Sequence, residues 1–293
     1  MDTICPICGC QELKLIFQGV WGTPRRNVYQ CQKCQTTFLY PMMNEQEAKE
    51  FYSKRGLEAR KKRIPDKNVE LFLKNKQQKE VTRQIELLKH YFQPSFTICE
   101  IGASNGDFLE QAREYVNQVY AIELGEEEVK NLKAKKINHY SSLEDIDYAG
   151  LKFDAVLMLH LFEHLNEPIK YLEKLNSYLN DNALIFVEVP NIDDVLVSRY
   201  NVASFKKFYF QSMHCFYYNE QTLTNVFAKA GFKLQERYFV QRYPFSNHLQ
   251  WLLYGQAGGN EEYERGFSQI NEIYSAILKK EKITDTIICI FKK

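Results

Sequence analysis

Four cysteines near the amino terminus have the spacing of a metal site. Cys5-x-x-Cys8 and Cys31-x-x-Cys34 are two pairs, and each pair brings two thiolates to one side of a tight turn. Together they complete a tetrahedral set of sulfur ligands, which suits a structural zinc ion. Cys10 lies close enough to Cys8 to replace it as a ligand, so that alternative stays open. A module this small buries little core, so we expect it to need the metal in order to fold.

A glycine-containing turn farther along the chain has the pattern of a nucleoside-binding site. The run Glu100-Ile-Gly-Ala-Ser-Asn-Gly106 follows an apolar strand and opens a helix. Gly102 permits the tight turn, and Gly106 lets the helix begin close to a ligand, so that backbone N–H groups can meet a carboxylate. Glu123 ends the next strand, where an acidic group can accept both ribose hydroxyls. These residues predict a nucleoside cofactor, either NAD or S-adenosylmethionine (SAM).

Three histidines are candidates for a general base, a role that suits histidine because its pKa lies near neutral pH. His214 is the first candidate because it precedes the predicted helix NEQTL and should lie over the carboxyl ends of the strands, where ligands bind. His160 and His164 are the other candidates, and a structural role is open for all three. The aromatic neighbours of His214 could form a dry wall or a sugar-stacking surface: Phe208, Tyr209, Phe210, Phe216 and Tyr217.

The run His160-Leu-Phe-Glu163-His164 also matches the H-x-x-E-H pattern of a class of zinc peptidases. In those enzymes the motif lies on a helix. Here it directly follows the predicted strand FDAVLML, so we expect these residues to orient a turn and expect no peptidase.

One segment is strongly basic. Lys54–Arg63 contains six basic residues and one acidic residue. A nucleotide-sugar diphosphate or RNA would suit such a patch, and a solvated helix face is the alternative.

The second part of the chain alternates between strand and helix patterns. The predicted strands are FTICEIG, QVYAIEL, INHYS, FDAVLMLH, NALIFVEVP, KLQERYFVQR and TDTIICIFKK. The predicted helices are GDFLEQAREYV, EEEVKNLKAKK, PIKYLEKLNSYL and NEQTLTNVFAKAG. Such alternation indicates an α/β fold with a mainly parallel sheet and helices on both faces.

Three segments are expected along the chain. Residues 1–43 form the zinc-binding module, residues 44–93 a helical linker and residues 94–293 the α/β domain. Asn44 predicts the cap of a first linker helix. A second, amphipathic helix over Asn68–Phe92 has this apolar face: Leu71, Leu73, Val81, Ile85, Leu88 and Phe92. The α/β domain carries an insertion at about 242–283, which we expect to serve as a lid or a substrate wall.

Composition favours a cytoplasmic protein with a substantial core. Hydrophobic residues make up 45% of the chain, and the formal net charge is +1, which argues against a dedicated nucleic-acid binder. The start MDTICPICGC lacks the pattern of a signal peptide, and the apolar runs are too short to span a membrane. Thiols stay reduced in the cytoplasm, so the cysteines indicate metal binding or, for Cys99, Cys215 and Cys289, core packing.

Several runs together resemble the class I SAM-dependent methyltransferases. ICEIGASNGDFL resembles the first motif of that family, with Ser104 where a central glycine is commonest. FDAVLMLHLFEHL, VEVPN and FAKAGF resemble later landmarks, and the separated final strand matches the family's antiparallel strand. The resemblance covers roughly residues 94–293. It implies a Rossmann-like fold with SAM as cofactor, in which the backbone near His160 lines the methionine end and five residues contact SAM: Glu100, Gly102, Ala103, Gly106 and Glu123.

The amino-terminal part extends this resemblance. CQKCQTTFLYPMMNEQEAKEFYSK resembles the segment that precedes methyltransferase domains of bacterial polysaccharide and sugar-modifying enzymes. Sugar C-methyltransferases carry a Tyr and a Glu-His pair near the position of His214, but here Met213 replaces the glutamate and Gln211 the tyrosine. This departure favours an oxygen acceptor. Quinone-type O-methyltransferases have a pair similar to Glu163-His164 that can hold magnesium, so a metal there is an alternative.

The resemblance therefore implies O-methylation of a sugar, nucleotide-linked or part of a surface polysaccharide pathway. Nucleic acid is not the expected acceptor, and no membrane span is expected. Two other functions stay open. One is an RNA methyltransferase that uses the zinc module and the basic segment to hold RNA. The other is a binding protein that keeps the fold and has lost catalysis.

Overall fold

The computed structural model organises the described part of the chain into two β-sheets and the helices between their strands. It describes residues 3–20, 23–43, 47, 69–147, 150–259 and 266–293. The basic segment Lys54–Arg63 and the predicted cap Asn44 lie outside the described residues. So do the side chains of Leu71 and Leu73.

The strands follow one another in this order: β1 (Leu13–Val20), β2 (Thr23–Cys31), β3 (Thr37–Tyr40), β4 (Thr97–Ile101), β5 (Gln118–Ile122), β6 (Asn138–Tyr140), β7 (Phe153–Leu159), β8 (Leu179–Pro190), β9 (Phe216–Tyr217), β10 (Lys233–Val240) and β11 (Thr286–Lys292). The α-helices are α1 (Val69–Leu88), α2 (Asp107–Ala112), α3 (Glu126–Ala134), α4 (Leu143–Asp147), α5 (Pro168–Leu175), α6 (Val195–Ser198), α7 (Ala203–Tyr209), α8 (Glu220–Lys229), α9 (Phe245–Tyr254) and α10 (Ser268–Lys280). Short 3-10 helices cover Lys89–Tyr91, Phe162–His164 and Asn176–Tyr178.

The larger sheet has seven strands among the described residues, in the order β10-β11-β8-β7-β4-β5-β6. β4 pairs in parallel with both β5 and β7, whereas β11 runs antiparallel to β10. This confirms the prediction of a mostly parallel sheet with one antiparallel strand. β7 is an almost continuous apolar run because strands inside such a sheet are covered on both faces. Ile101 pairs with Ile122, so Gly102 and Glu123 leave neighbouring strands side by side.

The smaller sheet was not predicted. Its strand order is β1-β2-β3-β9, and every pairing in it is antiparallel. The first three strands come from the cysteine-rich segment, while β9 follows His214 directly after Cys215. Thr37 pairs with Tyr217 and Phe38 with Phe216. The cysteine-rich segment therefore shares a sheet with a part of the chain that lies far away in sequence.

Two units are distinguished by their internal contacts. The first comprises residues 1–43, 160–173 and 187–292, and the second comprises residues 44–159, 174–186 and 293. The first unit contains a buried apolar cluster that includes Val28, Leu39, Leu196, Phe210 and Tyr217. Buried residues of the second unit include Ile98, Leu109, Leu132, Val156 and Phe186. As predicted for core positions, Cys99, Cys215 and Cys289 are all buried.

Two predicted helices illustrate where the sequence pattern agrees with the structure and where it does not. The apolar face of α1 is buried at Val81, Ile85 and Leu88, as its spacing predicts. The helix predicted over GDFLEQAREYV is shorter than expected, because α2 ends at Ala112. The chain must turn there to begin β5, and the N–H of Asn117 already bonds the carbonyl of Phe96 at 2.9 Å. In the part of the chain that is described, every helix is too short or too polar to cross a bilayer.

Candidate functional site

The turn after β4 is held in an unusual backbone conformation. Gly102, Ser104 and Gly106 have φ angles of 73°, 48° and 71°, in the left-handed region that favours glycine. This explains why a central glycine is commonest where Ser104 stands. The N–H of Ser104 donates to Glu123 Oε2 at 2.8 Å, and this bond stabilises the less favourable conformation.

Glu123 braces the turn from the neighbouring strand. Its Oε1 accepts hydrogen bonds from the N–H groups of Leu124 at 2.8 Å and Gly125 at 2.9 Å. With the bond from Ser104, three backbone donors fix the carboxylate at the end of β5. A carboxylate offers about four acceptor positions, so it retains room for a ribose hydroxyl. Glu123 therefore has a structural role that the sequence did not predict, beside the predicted binding role.

Glu100 provides a test of whether the turn fits a cofactor. Its side chain is 5% exposed, and Oε2 is buried without a hydrogen-bond partner among the described residues. Burial, with the nearby negative charges of Glu123 and Asp107, raises the pKa of Glu100 well above its usual value. A protonated carboxyl can both donate and accept, and a polar ligand atom would satisfy it. The residues present thus fit a polar cofactor at this turn.

Gly106 has a packing role in addition to the predicted one, which stays a prediction. A Cβ at this position would lie 2.6 Å from Leu132 Cδ2 and 2.8 Å from Ile137 Cδ1. Both contacts are with protein side chains, and the φ angle also favours glycine. Gly106 therefore lets the start of α2 pack closely against Leu132 and Ile137, whereas the sequence predicted a close approach to a ligand.

A second set of polar residues gathers three histidines and two buried glutamates. His160 follows β7 directly, and Glu163 and His164 lie in the 3-10 helix after it. Glu188 is in the last part of β8 and is 0% exposed, and His214 precedes β9 and is 8% exposed. We call His160, Glu163, His164, Glu188 and His214 the histidine–glutamate cluster. The structure thus brings all three predicted base candidates together with Glu163, which was considered only as a turn residue or metal ligand, and with Glu188, which was assigned no role.

His160 is fixed by its backbone and by its ring. Its φ angle is 56°, which is rare for a residue other than glycine, and its N–H donates to the Glu188 carbonyl at 2.8 Å. Its Nε2 lies 2.9 Å from Arg242 NH1 and 3.3 Å from Glu188 Oε1. Burial and the Arg242 guanidinium lower the pKa of His160, but the carboxylates of Glu163 and Glu188 outweigh them and the pKa is raised.

Arg242 is itself held by a buried carboxylate. Asp285 accepts from Arg242 Nε at 2.7 Å and from the backbone N–H of Arg242 at 2.6 Å. Arg242 follows β10 and Asp285 precedes β11, so the antiparallel pair places them opposite each other. Neither residue was identified from the sequence. The charge of Asp285 directly before the apolar strand β11 is visible in the sequence, but its proximity to Arg242 depends on the pairing of Val240 with Thr286.

Glu163 lies among the three histidines. Its Oε1 is 3.7 Å from His160 Nδ1 and 3.8 Å from His164 Nε2. The ring of His214 stands edge-on to that of His164, with centroids 4.9 Å apart. Burial by itself would raise the pKa of Glu163, but His164, His160 and His214 outweigh it and lower the pKa to about 2. Glu163 is therefore an anion at neutral pH, able to stabilise a protonated imidazole.

The same side chains meet a geometric requirement for binding a metal. Ligand atoms of Glu163, His164 and His214 all lie within 4.8 Å of one another. His164 Nδ1 is 2.9 Å from the carbonyl of Met213, so it donates there and its Nε2 faces Glu163. This arrangement could serve proton transfer or hold a metal ion.

The aromatic residues around His214 are mostly core. Tyr209, Phe210, Phe216 and Tyr217 are at most 8% exposed, and the Phe210 and Tyr217 rings are 5.0 Å apart. Only Phe208 of the five is exposed, at 37%. Four of the five therefore offer no free face for stacking on a sugar, and the predicted stacking surface is wrong for them.

The cysteine pairs come together as their spacing predicts. The Sγ atoms of Cys5, Cys8, Cys31 and Cys34 lie within 4.8 Å of one another, and Cys10 is not part of this group. Cys5 and Cys34 are 3.6 Å apart, and Cys8 and Cys31 are 3.5 Å apart. A tetrahedral site with Zn–S bonds of about 2.3 Å requires sulfurs about 3.8 Å apart, so the four thiols could hold zinc with little movement.

Comparison with known proteins identifies the family. A family model described as a methyltransferase domain matches residues 57–237, which is more than half of the chain. The chain therefore belongs to this methyltransferase family.

Two solved structures share its fold. A SAM-dependent methyltransferase from Archaeoglobus fulgidus is 20% identical, with a TM-score of 0.51, over 76% of this chain and 100% of that chain. Magnesium protoporphyrin IX methyltransferase from Synechocystis PCC 6803, solved with bound SAH, is 12% identical, with a TM-score of 0.53. The match covers 85% of this chain and 100% of that chain. By sequence the chain thus belongs to a methyltransferase family, and its fold is that of SAM-dependent methyltransferases.

Relatives by sequence modify RNA. A tRNA U34 carboxymethyltransferase from Campylobacter jejuni is 28% identical over 151 residues, which cover 46% of this chain and 49% of that protein. The chain thus spans about half the length of the curated relatives it matches. The expectation that nucleic acid is not the acceptor receives no support from these relatives.

Proposed function

We propose that the protein transfers a methyl group from SAM to a hydroxyl oxygen, with His214 as general base and Glu163 as the group that stabilises it. SAM supplies the methyl group as an electrophile. The contribution of this chain is to bind and orient the reactants and to remove the hydroxyl proton. The observation that carries the proposal is the position of the Glu163 carboxylate, which is buried within 4.8 Å of His214; the lowered pKa of Glu163 supports it.

Each part of the site has a stated task in this proposal. Glu100, Gly102, Ala103, Gly106 and Glu123 form the cofactor turn. When His214 accepts the proton on its ring it becomes a cation, and the carboxylate of Glu163 stabilises that cation without itself taking the proton. The rings of His160 and His164 flank the Glu163 carboxylate, so in this proposal they hold it in place beside the base and do not replace the base.

This pairing bears on the departure seen in the sequence. The sugar C-methyltransferases that the chain resembles place a glutamate next to the histidine, where this chain has Met213. Glu163 is distant in sequence but stands near His214 in space. A Glu–His pair is therefore available in space, built from two segments instead of one, so the preference for an oxygen acceptor rests on the missing tyrosine, where Gln211 stands.

We propose a sugar hydroxyl as the acceptor, either nucleotide-linked or part of a surface polysaccharide. Support comes from the resemblance of residues 31–54 to sugar-modifying enzymes and from the near-neutral charge.

A hydroxyl or base of RNA is the second candidate acceptor. The sequence relatives favour it because they modify tRNA. The basic segment Lys54–Arg63 would then contact phosphates.

A methylation assay with each class of acceptor distinguishes the sugar from the RNA. Purified protein is incubated with radiolabelled SAM and either a panel of nucleotide sugars or total tRNA, at low and high salt. Label in a nucleotide sugar supports the first acceptor. Label in tRNA that falls steeply as salt rises supports the second. SAM binding without label in any acceptor would support a protein that keeps the fold and has lost catalysis.

We also propose that Cys5, Cys8, Cys31 and Cys34 bind one structural zinc ion. The close approach of the four thiols supports this, and so does the small size of the module. Metal analysis should find one zinc per chain, and chelation should loosen residues 1–43 first, as measured by hydrogen exchange. Protein without zinc and with four freely titratable thiols would contradict it. Two metal ions per chain would instead favour a second ion at Glu163, His164 and His214.

A further inference from the structure

A buried cysteine connects residues 1–43, which we call the cysteine-rich module, to the histidine–glutamate cluster. Cys215 follows His214 directly and is 1% exposed. Its N–H donates to the carbonyl of Glu163 at 2.8 Å, and its carbonyl accepts from the N–H of Leu39 in β3 at 2.9 Å. One residue thus ties the base candidate to the turn that carries Glu163 on one side and to the module on the other.

A side-chain amide makes the same connection a second time. Asn166 Oδ1 accepts from the thiol of Cys215 at 2.7 Å, and Asn166 Nδ2 donates to the carbonyl of Met43 at 2.7 Å. Both ends of the amide are therefore paired, one with the residue after His214 and one with the end of the module. Asn166 also follows Glu163 and His164 closely in the chain, so its position bears on theirs.

We propose that the cysteine-rich module is a positioning element for the base, acting through Asn166 and Cys215. The ladder between β3 and β9 and the chain Met43–Asn166–Cys215 fix His214 beside Glu163. A module that has lost its order loosens this ladder, so His214 drifts from Glu163 while the cofactor turn is unaffected. This inference rests on the proposed function for its effect on turnover, although the positioning itself does not depend on it.

The energetic reason is that β9 is short. It has two residues, and β3 is its only partner in the smaller sheet as the structure describes it. Two residue pairs hold a strand weakly on their own, so the bonds of Asn166 and Cys215 have a large share in fixing the segment. A shift of about 1 Å in a catalytic group can reduce turnover by about 100-fold.

The test compares Asn166→Ala with a control that removes a buried thiol elsewhere. Asn166→Ala deletes both bonds of the amide, while Asn166→Asp keeps an acceptor for the Cys215 thiol. The control is Cys289→Ala, in β11 away from the module. The full chain is used, and three quantities are measured: SAM affinity by calorimetry, kcat by product formation, and the NMR resonances of the His214 imidazole, assigned from the spectrum of His214→Gln.

We expect Asn166→Ala to move the His214 resonances and to lower kcat about tenfold or more, with SAM affinity within about twofold of the parent protein. Asn166→Asp should recover part of the loss, and Cys289→Ala should leave the His214 resonances in place. Unmoved His214 resonances in folded Asn166→Ala would overturn the inference, and so would equal shifts in Cys289→Ala. Moved resonances with unchanged kcat would uphold the positioning and contradict the role of His214 as base. If Asn166→Ala fails to fold, Asn166→Asp is judged by the same resonances.

Discussion

The cofactor turn and the histidine–glutamate cluster are built in opposite ways. The turn uses consecutive residues, Gly102–Gly106, whose backbone conformation is fixed locally and braced by one carboxylate from the adjacent strand. The cluster collects side chains from three separate places in the chain, and both of its carboxylates are buried. The first arrangement depends on backbone angles, and the second depends on packing and on electrostatic balance. A local motif therefore identifies the first, while only the folded chain reveals the second.

Two buried glutamates show the same contrast in their ionisation. Glu100, in the turn region, faces the negative neighbours Glu123 and Asp107, and burial with these charges raises its pKa well above the usual value. Glu163 is equally buried, yet three histidines outweigh burial and lower its pKa to about 2. Burial alone thus does not decide the charge of a carboxyl group. The surroundings decide the direction: the pKa of Glu100 moves up and that of Glu163 moves down.

The largest effect is expected from neutralising the anion of the cluster. Glu163→Gln keeps the size of the side chain but cannot stabilise protonated His214, so we predict that kcat falls about 100-fold or more. SAM affinity should stay nearly constant because the cofactor turn is built independently. Steady-state kinetics with calorimetry on the same preparation provide the check. A parallel loss of SAM affinity would show that the two regions are not independent.

A smaller effect is expected at the brace of the turn. Glu123→Ala should weaken SAM binding by roughly 1.5–3 kcal/mol, through the loss of a charge-assisted bond to ribose. Glu123→Gln is the matched variant, since it keeps one oxygen for the N–H groups of Leu124 and Gly125. The two variants separate bracing from ribose binding in a calorimetric titration. Unchanged affinity in both would mean that another residue holds the ribose.

Asp194 offers a pH-dependent test of buried carboxyls in the unit that contains the cluster. Burial, with the charge of Asp285, raises the pKa of Asp194 from 3.8 to about 8. Between these values the folded state holds a proton that the unfolded state has released, so the contribution to stability falls as pH rises. An asparagine at position 194 would cap α6 as well as Asp194 does, because its side-chain oxygen can accept from the N–H of Leu196, but it does not titrate.

Asp194→Asn should therefore gain roughly 1–3 kcal/mol of stability over the parent protein on going from about pH 4 to about pH 8. Denaturant unfolding at several pH values measures it. A constant difference between the two proteins across that range would contradict the raised pKa.

The smallest effect is expected at Ser104. Its left-handed conformation costs a residue with a Cβ roughly 1 kcal/mol, and the greater freedom of glycine in the unfolded chain offsets part of the gain. Ser104→Gly should therefore leave stability unchanged or raise it by at most about 1 kcal/mol, with SAM affinity unaltered. Thermal unfolding with and without SAM is the measurement. A clear loss of affinity would instead assign a ligand contact to the Ser104 hydroxyl.

The parts of the molecule that sequence could predict are those whose determinants are short. The alternating strands and the turn after β4 depend on neighbouring residues, so both can be predicted from the sequence. The grouping of the four cysteines can also be predicted, because each pair needs only a tight turn. The packing role of Gly106 could not be predicted, since Leu132 and Ile137 approach it from a later helix and from the turn that follows that helix.

The cluster could be predicted in its histidines and in the Glu163-His164 pair, but the proximity of His214 and Glu188 to them could not. Glu163 was visible between two histidines at the end of the strongest apolar strand, and a charge at such a place is a signal of a buried ion. The links of Arg242 to His160 and of Cys215 to β3 join residues far apart in the chain. They depend on the pairing of β10 with β11 and of β3 with β9, which no local pattern specifies.

The central claim is that Glu163 and His214 act as one unit, separate from the cofactor turn, and a double-mutant cycle tests it most directly. Turnover is measured for Glu163→Gln, for His214→Ala and for the double variant, under conditions that saturate SAM and acceptor. If Glu163 acts through His214, the double variant should be about as slow as His214→Ala alone, because the carboxylate has no function without the base. If the two losses multiply, the residues act independently, and the account of the site is contradicted.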